Sequence, residues 1–408
     1  MMDKTVLLLG GSAQQLDAFD AAKRLGWRSV LCDWDPGCPG REHADAFYET
    51  STLDREAVLE IARKEQVDGV VCFASDAPAP VAAWVSEQLG LPTNSYDSVA
   101  MLCDKGAFRQ FLLDNGFPVP ENTVLHEGDI GRAAEVIQHM PLPLVVKPVD
   151  SAGSRGVSVV RAEREILAAV SHAMEHSRKR EVVVERYLET ATPGRVIEAE
   201  LFVESGRIVS WGLMSAFRDL GLNGLVPSCY VHPMIATHEE VSSVKSSLQR
   251  LVTAAGIAQG AMNVEIIQDA GGKLYVIDIG PRNGGNFLSS FISHASGGDI
   301  VTATLRVACG EPSGLAQFDG STDGVWVQHI HYADKVGIFR GLRTTEEYDR
   351  ARMESHFYKS IGSDVAPLSS IADSIGVSLL HFPGESDACA LVSRLSQMCY
   401  ALVSSPLN

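Results

Sequence analysis

Residues 144–160 read LVVKPVDSAGSRGVSVV, in which two apolar runs flank a loop with a lysine, an arginine, two serines and two glycines. A lysine at the end of a strand is held in position, and a glycine-rich loop lets backbone N–H groups close over phosphate oxygens. The loop is not a Walker loop, because no GK[ST] follows it and no helix opens from it. Two interpretations remain at this point, a phosphate-binding flap and a β-hairpin with a solvated tip.

The composition of the 408-residue chain predicts an ordinary globular protein of two or three domains. Hydrophobic residues make up 45% of the chain and charged residues 21%, which is unlike a disordered protein. The formal charge is −17, from 51 acidic and 34 basic residues, and no long basic run offsets it. This balance argues against a general nucleic-acid or acidic-membrane surface, although a few lysines and bound magnesium are enough to bind ATP.

The cysteines and the N-terminus predict a cytoplasmic protein. Eight cysteines occur without a CxxC pair, so we expect reduced thiols and no disulfide framework. The opening MMDKTVLLLGGSA contains a short apolar strand and lacks the longer apolar run of a signal peptide. No segment approaches the ~20 apolar residues that span a membrane.

Short apolar strands alternate with amphipathic helices in the first ninety or so residues, and this alternation predicts a doubly wound parallel sheet. The predicted strands are Thr5–Leu9, Ser29–Cys32 and Gly69–Phe73. The predicted helices are Ala13–Leu25, Arg55–Glu65 and Ala79–Leu89. The sequence LPTNS at 91–95 breaks the pattern, so we place the first domain boundary there.

From residue 144 onward, strands in hairpins predict an antiparallel α+β region. A mostly helical stretch precedes it, with a helix at Lys105–Asn115. The predicted strands are Leu144–Lys147, Gly156–Arg161, Val182–Tyr187, Val196–Val203, Arg207–Met214, Ala261–Gln268 and Lys273–Ile279, and the helices are Glu163–Ser177 and Glu239–Ala255. Beyond about residue 310, we expect strands at Val325–His331 and Ser378–His381 and a last helix at Asp387–Leu402.

The N-terminal turn LLLGGSAQQ follows a strand and opens a helix, as a dinucleotide-binding turn does. Asp33 lies at the end of the second strand, about where a ribose-binding acid would be. However, GGSAQQ lacks the third glycine of the GxGxxG fingerprint. We therefore expect a structural or substrate-binding turn.

Two acids, Glu265 and Asp278, occur thirteen residues apart on strands that the turn DAGGK joins into a hairpin. Isoleucine or valine flanks each acid, so both strands are expected to be largely buried. An unpaired buried carboxylate is costly, and either a metal ion or a buried salt bridge removes that cost. Two carboxylates are also the hard ligands that magnesium bound to phosphate oxygens requires.

Two further motifs follow strands. Arg282 stands in PRNGGN, four residues past Asp278, and its guanidinium suits a carboxylate or a phosphate. The stretch VVVERYLE at 182–189 is a strand end that could present backbone groups to a planar base.

In this order, the motifs resemble the ATP-grasp superfamily, whose members ligate carboxylates to amines or thiols, or carboxylate their substrates, through acyl phosphates. The resemblance covers roughly residues 1–308, and its first part is similar to the pre-ATP-grasp domain of the purine-biosynthesis and carbamoyl-phosphate-synthase branch. It implies a Rossmann-like domain at 1–94 and an ATP-grasp fold of two α+β subdomains at 95–308, with a flap at about 145–205. A small C-terminal α+β region at 309–408 would complete the substrate site.

The resemblance also implies which residues bind ATP and Mg2+ (or Mn2+). The phosphate-binding residues would be Lys105, Lys147 and the mobile flap residues Ser151, Gly153, Ser154 and Gly156. The adenosine-binding residues would be Glu185, Tyr187 and Leu188 for the base, with Glu198 or Glu200 for the ribose. Glu265 and Asp278 would bind the metal.

The implied catalytic residues are Arg282, Lys147 and Arg155, and the substrate would contact Arg282, Asn283, Asn286 and Arg218. One departure matters, because family members commonly have an asparagine two residues after the second acid and this chain has Gly280. One metal contact is therefore missing or replaced, with Asn283 or Asn286 as candidates. Aspartate at 278, where glutamate is commoner, also shortens the reach to a metal.

The favoured function is a ligase that joins a small carboxylate to a small amine, with no nucleic-acid or membrane partner and a homodimer left open. A carboxylase or formyl-phosphate enzyme of the purine branch is one alternative, and a non-catalytic ATP-binding protein is another. Specificity is expected in residues 210–235 and in the C-terminal region. Arg218 or His232 could contact a substrate, but a solvated loop is the favoured interpretation for each. His329 and His331 share one strand face, but without a third ligand they are interpreted as packing or substrate-facing residues.

Overall fold

The computed structural model describes residues 4–151, 153–192, 195–219 and 224–405. The first region is a parallel sheet with strand order β3-β2-β1-β4, which confirms the predicted doubly wound fold. Its elements are β1 (Thr5–Leu9), α1 (Leu16–Leu25), β2 (Arg28–Asp33), β3 (Ala46–Glu49), α2 (Arg55–Glu65), β4 (Gly69–Val71) and α3 (Ala79–Leu89). The edge strand β3 was not predicted from the sequence.

The turn after β1 is closed by side chains of the first region itself. Asp33 accepts a hydrogen bond from the Gly11 N–H at 2.8 Å. Gln15 donates to the carbonyls of Leu9 and Phe73 at 3.2 and 2.8 Å. The position that resembled a ribose-binding acid therefore holds the turn in place.

The second region is an antiparallel sheet of order β5-β8-β6-β7, termed the flap sheet. Two helices precede it, and α7 packs its apolar face against the sheet. The elements are α4 (Tyr96–Cys103), α5 (Lys105–Asp114), β5 (Asn122–His126), α6 (Ala133–Val136), β6 (Leu144–Pro148), β7 (Ser158–Val160), α7 (Ile166–Glu175) and β8 (Glu181–Arg186). The opening stretch of the sequence is therefore the β6–β7 hairpin.

The third region is an eight-stranded antiparallel sheet of order β13-β12-β9-β10-β11-β14-β18-β16, termed the large sheet. Its elements up to the predicted boundary at residue 308 are β9 (Arg195–Glu204), β10 (Arg207–Arg218), β11 (Pro227–His232), α8 (His238–Ala254), β12 (Gly260–Gln268), β13 (Leu274–Gly280), α9 (Leu288–Ser296) and α10 (Ile300–Ala308). The helices α9 and α10 were not predicted.

The rest of the chain adds strands to the large sheet and forms a small sheet of order β17-β15-β19. Its elements are β14 (Val325–His331), β15 (Gly337–Thr344), α11 (Glu346–Ala351), β16 (Arg352–Phe357), β17 (Asp364–Val365), β18 (Gly376–Phe382), α12 (Ala388–Met398) and β19 (Cys399–Ser404). Strands from both sides of residue 308 share the large sheet, and the domain limits 1–94, 95–308 and 309–408 stay predictions.

The predicted last helix Asp387–Leu402 is wrong beyond Met398. Asp387 caps α12 by accepting from the Ala390 N–H at 2.9 Å, as the sequence suggested. Cys399 then takes an extended conformation, and β19 pairs antiparallel with β15. Pairing with a distant strand overrides the local apolar run, because six residues of β19 gain a sheet neighbour.

The large sheet is covered on both faces. Alternating side chains of β9 divide between them, with Leu201 packing on the α8 side and Phe202 on the side of α9 and α10. No helix among the described residues is both long and apolar enough to cross a bilayer. All eight cysteines are free thiols.

Two acids of β9 are buried in the large sheet. Glu198 is 7% exposed and accepts from Asn263 at 2.9 Å, while Glu200 is fully buried and accepts from the Gly284 N–H at 3.0 Å. Burial raises the pKa of Glu198 to about 8 and that of Glu200 to about 7. Both carboxyl groups therefore bind protons more readily in the folded chain than in the unfolded chain.

We expect Glu198→Gln to remove part of the pH dependence of stability. Because the folded pKa of about 8 exceeds the ordinary 4.5, the free energy of unfolding falls as the pH rises between these values. Glutamine keeps an acceptor for Asn263 without a charge. In thermal melts, the Tm of the variant minus the Tm of the wild type should therefore rise by about 2–4 °C between pH 5 and pH 8. A pH-independent difference, or an equal change for the exposed control Glu175→Gln, would contradict this assignment.

Candidate functional site

A cavity of about 910 Å3, including its open mouth, lies between the flap sheet and the large sheet. It brings together most of the site residues that the sequence suggested. Those that line it are Lys105, Lys147, Ser151, Gly153, Ser154, Glu185, Tyr187, Leu188, Arg218, Glu265 and Asp278. The apolar part of the wall comes from Val145, Val157, Val196, Leu225, Ile267 and Ile277.

Two lysines enter the cavity from different elements. Lys105 is the first residue of α5, and its Nζ lies 3.1 Å from Asp278 Oδ1 and donates to the Ser151 carbonyl at 3.0 Å. Lys147 projects from β6, with its Nζ 2.8 Å from Glu185 Oε2. Burial lowers the pKa of Lys147 and Arg109 lowers it further, although Glu185 acts in the opposite direction. For Lys105, burial acts in the same direction, but Asp278 and Asp76 hold its pKa above the ordinary value.

Arg109 links the two walls of the cavity. It is 1% exposed, and it donates from Nε to Glu185 at 2.7 Å and from Nη2 to the Ile277 carbonyl at 2.7 Å. Burial alone would raise the pKa of Glu185, but Arg109 and Lys147 lower it to about 2. Sequence reasoning missed Arg109, although it follows Lys105 by one helical turn and therefore shares its helix face.

Glu265 and Asp278 stand directly opposite each other on β12 and β13. Glu265 pairs with Arg218, and Asp278 pairs with Lys105, so each acid has a cation partner in this structure. Burial would raise the pKa of Asp278, but Lys105 and Lys147 bring it below the ordinary value. The two side chains are 24% and 43% exposed at the cavity wall. Two accessible carboxylates on paired strands form a donor set that fits a hard divalent cation.

The loop between β6 and β7 reaches over the cavity. Gly153 and Gly156 have φ values of +65° and +74°, a left-handed backbone that favours glycine. The Ser154 hydroxyl donates to the Leu225 carbonyl at 3.4 Å, across the cavity from the flap sheet. Arg155 has an exposed side chain. Residue 152 lies outside the described part of the chain.

Tyr187 and Leu188 line the cavity where the base was expected. The two acids predicted to bind adenosine, Glu185 and Glu198, contact other protein groups in this structure. The Tyr187 N–H donates to the Pro143 carbonyl at 3.0 Å. The Glu185 carboxylate is held by Arg109 and Lys147. Glu198, the proposed ribose ligand, is not among the described residues that line this cavity. The ribose contact therefore stays a prediction.

Arg282 lies behind the cavity and reaches the first region of the chain. Its Nη2 lies 2.6 Å from Asp76 Oδ1, which sequence reasoning did not identify. A Cβ atom at Gly280 would come within 2.7 Å of Arg282 Cζ and would also collide with Asp76 Oδ1. The position where the resemblance predicted an asparagine thus has no room for a side chain while this ion pair is in place.

Asn283 and Asn286 do not line the cavity in the part of the chain that is described. Asn283 is fully buried and donates to Ser289 at 2.9 Å and to Thr304 at 3.0 Å. The Asn286 N–H donates to Gln14 at 2.8 Å, and its side chain accepts from Tyr358 at 3.1 Å. Their contacts hold the PRNGGN loop against other elements, so neither side chain faces the cavity as a replacement for the asparagine expected at position 280.

Comparison with known proteins identifies the family to which the chain belongs. The model for the carbamoyl-phosphate synthase L chain, ATP binding domain, matches residues 104–315, just over half of the chain. The carbamoyl phosphate synthase large chain of Archaeoglobus fulgidus is 22% identical over 328 residues, which cover 76% of this chain and 29% of that protein. The chain therefore spans less than a third of the length of this relative.

Solved structures match almost the whole chain. The L-amino acid ligase from Bacillus licheniformis superposes with a TM-score of 0.81 at 19% identity, covering 99% of both chains. The biotin carboxylase domain of Hydrogenobacter thermophilus 2-oxoglutarate carboxylase, in complex with MgADP and bicarbonate, gives 0.73 at 18% identity, covering 94% of this chain and 87% of that chain. At such identities, these likenesses establish the fold alone. Together with the family match, they show that the chain belongs to the ATP-grasp ligases of the carbamoyl-phosphate-synthase and purine-biosynthesis branch.

Proposed function

We propose that this protein is an ATP-dependent ligase that activates a small carboxylate as an acyl phosphate and joins it to a small amine. The products would be an amide or peptide bond, ADP and phosphate. The observation that carries the proposal is the convergence of Lys105, Lys147, Glu265 and Asp278 on one cavity beneath the Ser151–Gly156 loop. Cationic and anionic groups in this arrangement suit a triphosphate with its metal ion.

Glu265 and Asp278 would hold Mg2+, which supplies positive charge to the triphosphate when bound. Asp278 would then exchange its contact with Lys105 for the ion, and Lys105 would become available to a phosphate oxygen. Lys147 can make the same exchange at low cost. When Lys147 turns toward a phosphate, Arg109 stays on Glu185 at 2.7 Å, so no buried carboxylate is left unpaired.

Arg282 would hold the substrate carboxylate, with Asp76 as its partner until the substrate arrives. A carboxylate oxygen would attack the γ-phosphorus while the bond to ADP breaks, giving the acyl phosphate. The amine would then attack the acyl carbon, phosphate would leave, and the amine proton would pass to solvent. The loop from Ser151 to Gly156, which includes Arg155, would exclude water from the acyl phosphate.

A second candidate follows from the family. The matching model and the sequence relatives are carbamoyl-phosphate synthase chains, so phosphorylation of bicarbonate or formate in the same cavity is an alternative. The biotin carboxylase domain with MgADP and bicarbonate shares the fold. The cavity would bind ATP in both cases. The two functions differ in the acid that Arg282 would bind, a small organic carboxylate in the first and bicarbonate or formate in the second.

Assembly and location are also proposals. The 2-oxoglutarate carboxylase domain with this fold is described as a dimer, and we propose a homodimer for this chain. Eight free thiols support a cytoplasmic location, since such a compartment keeps thiols reduced.

The test of this function is an assay of phosphate release with product detection. The purified chain would be incubated with MgATP and pooled amino acids, with pooled other carboxylates and amines, or with bicarbonate alone. We expect release only when an acid and an amine are both present, with a product whose mass is their sum less one water. Release with bicarbonate alone would support the second candidate. Release under none of the three conditions would favour a non-catalytic nucleotide-binding protein.

Replacing either metal-ligand candidate should abolish turnover. Glu265→Ala and Asp278→Ala should each lower kcat for ADP formation by about 10^2–10^3-fold, because the triphosphate charge is no longer neutralised. Steady-state kinetics across a Mg2+ titration provide the measurement. The control Glu175→Ala removes an exposed acid at the end of α7 and should keep wild-type rates. Wild-type ADP production by both cavity variants would refute the metal assignment.

Adding a methyl group at Gly280 should damage the carboxylate site more than the ATP site. Gly280→Ala must push Arg282 away from Asp76, so we expect kcat/KM for the carboxylate to fall on the order of 10–100-fold. The KM for MgATP should change by less than about twofold. Gly128→Ala is the matched control, since nothing lies within 4 Å of its added Cβ. Equal losses for ATP and carboxylate would contradict a role for Arg282 in binding the acid.

A further inference from the structure

Two histidines and a cysteine meet on the face of the large sheet that α11 and α12 cover. His329 and His331 project from β14 to the same side, since alternate residues of a strand share a face. Cys399, the first residue of β19, lies against them. The three side chains are buried, with exposures of 8%, 3% and 3%. The sequence offered the two histidines but no third ligand, because Cys399 was expected inside a helix.

The distances fit a coordination site. One ligand atom from each of the three residues lies within 4.8 Å of the other two. Cys399 Sγ is 3.8 Å from His331 Nδ1. Metal–nitrogen bonds of about 2.0–2.1 Å and metal–sulfur bonds of about 2.3 Å imply a nitrogen–sulfur separation of about 3.6 Å at a tetrahedral centre. The histidine–cysteine pair is already at that separation, and the remaining ligand needs to move by about 1 Å.

Surrounding hydrogen bonds orient the imidazole rings. His331 Nε2 is 2.7 Å from the Ser378 hydroxyl, which in turn is 2.8 Å from the Ser355 hydroxyl. When Nε2 carries the proton for Ser378, the lone pair of Nδ1 faces Cys399. Metal-binding histidines commonly have such a partner on the outer nitrogen. Tyr348, fully buried, places its hydroxyl 3.1 Å from His329 Nδ1.

We propose that His329, His331 and Cys399 form a structural site for a zinc-class divalent cation, with Tyr348 or a water as the fourth ligand. Imidazole and thiolate ligands select zinc over magnesium or calcium. Binding would release the Cys399 thiol proton to solvent. The ion would connect β14 of the large sheet to β19 of the small sheet. Its ligands His331 and Cys399 are 68 residues apart along the chain.

The layer around the three ligands is largely apolar. Its buried side chains include Val231, Val325, Val327, Leu380, Leu391 and Leu395. In such a layer, an ion would replace the His331–Cys399 contact with bonds to all three ligands. The three residues are not among those that line the ATP cavity in the described chain, so that site does not account for them.

The test uses the full chain with Cys389→Ser, which removes the exposed cysteine of α12. The protein would be freed of metal with a chelator and titrated with Zn2+ or Co2+. We expect one equivalent of tightly bound zinc, a thiolate-to-cobalt charge-transfer band and a higher Tm with zinc. No charge-transfer band, or no zinc beyond weak surface binding, would overturn the proposal.

Substitutions of the proposed ligands test whether the bound zinc occupies this site. In the same background, Cys399→Ser and His331→Gln should weaken zinc binding by ~100-fold or more, and Ser378→Ala by ~10-fold, because it only orients the ring. Zinc binding by Cys399→Ser that equals the parent would also overturn the proposal. If these variants fail to fold, the titration of the Cys389→Ser parent still decides, because its cobalt band reports a thiolate ligand directly.

Discussion

The cavity between the flap sheet and the large sheet depends on a buried arginine that joins its two walls. Arg109 holds Glu185 of the flap sheet and the Ile277 carbonyl of the large sheet through two 2.7 Å hydrogen bonds. A guanidinium has several donors in a rigid plane, so one side chain can bind both strands and set their separation. Removing it would leave Glu185 buried with Lys147 alone, and a buried charge with incomplete partners is strongly destabilising. Pairing of β6 with β8 positions Lys147, which shares the Glu185 carboxylate with Arg109.

The cavity is balanced in charge without a ligand. Lys105 meets Asp278, Lys147 meets Glu185, and Arg218 meets Glu265. Farther in, Arg282 meets Asp76. These pairs keep buried charges compensated while no ligand is bound. A triphosphate that drew Lys147 away would leave Glu185 paired with Arg109.

The sequence suggested Lys147, Glu265 and Asp278 as site residues, since Lys147 ends an apolar run and the two acids interrupt two others. A solvated hairpin and a buried salt bridge stayed open as alternatives, and the individual roles, like the choice of Lys105, came from the family resemblance. Arg109 and Asp76 were missed because their partners are 76 and 206 residues away along the chain. Asn283 and Asn286 were placed near the substrate from their position beside Arg282, yet tertiary contacts draw both into packing. Cys399 was missed because pairing of β19 with β15 overrides helical periodicity.

The surroundings of Arg282, the proposed carboxylate site, come from separate parts of the chain. Arg282 follows β13 of the large sheet, while its partner Asp76 comes from the first region. Asn286 contacts Gln14 of the first region and Tyr358 of the C-terminal region, so the PRNGGN loop is the point where these parts meet. The missing side chain at Gly280 belongs to the same arrangement, since a larger residue there would collide with both members of the Arg282–Asp76 pair. Under the proposed role of Arg282, discrimination between acids is expected to depend on Asp76 and its surroundings.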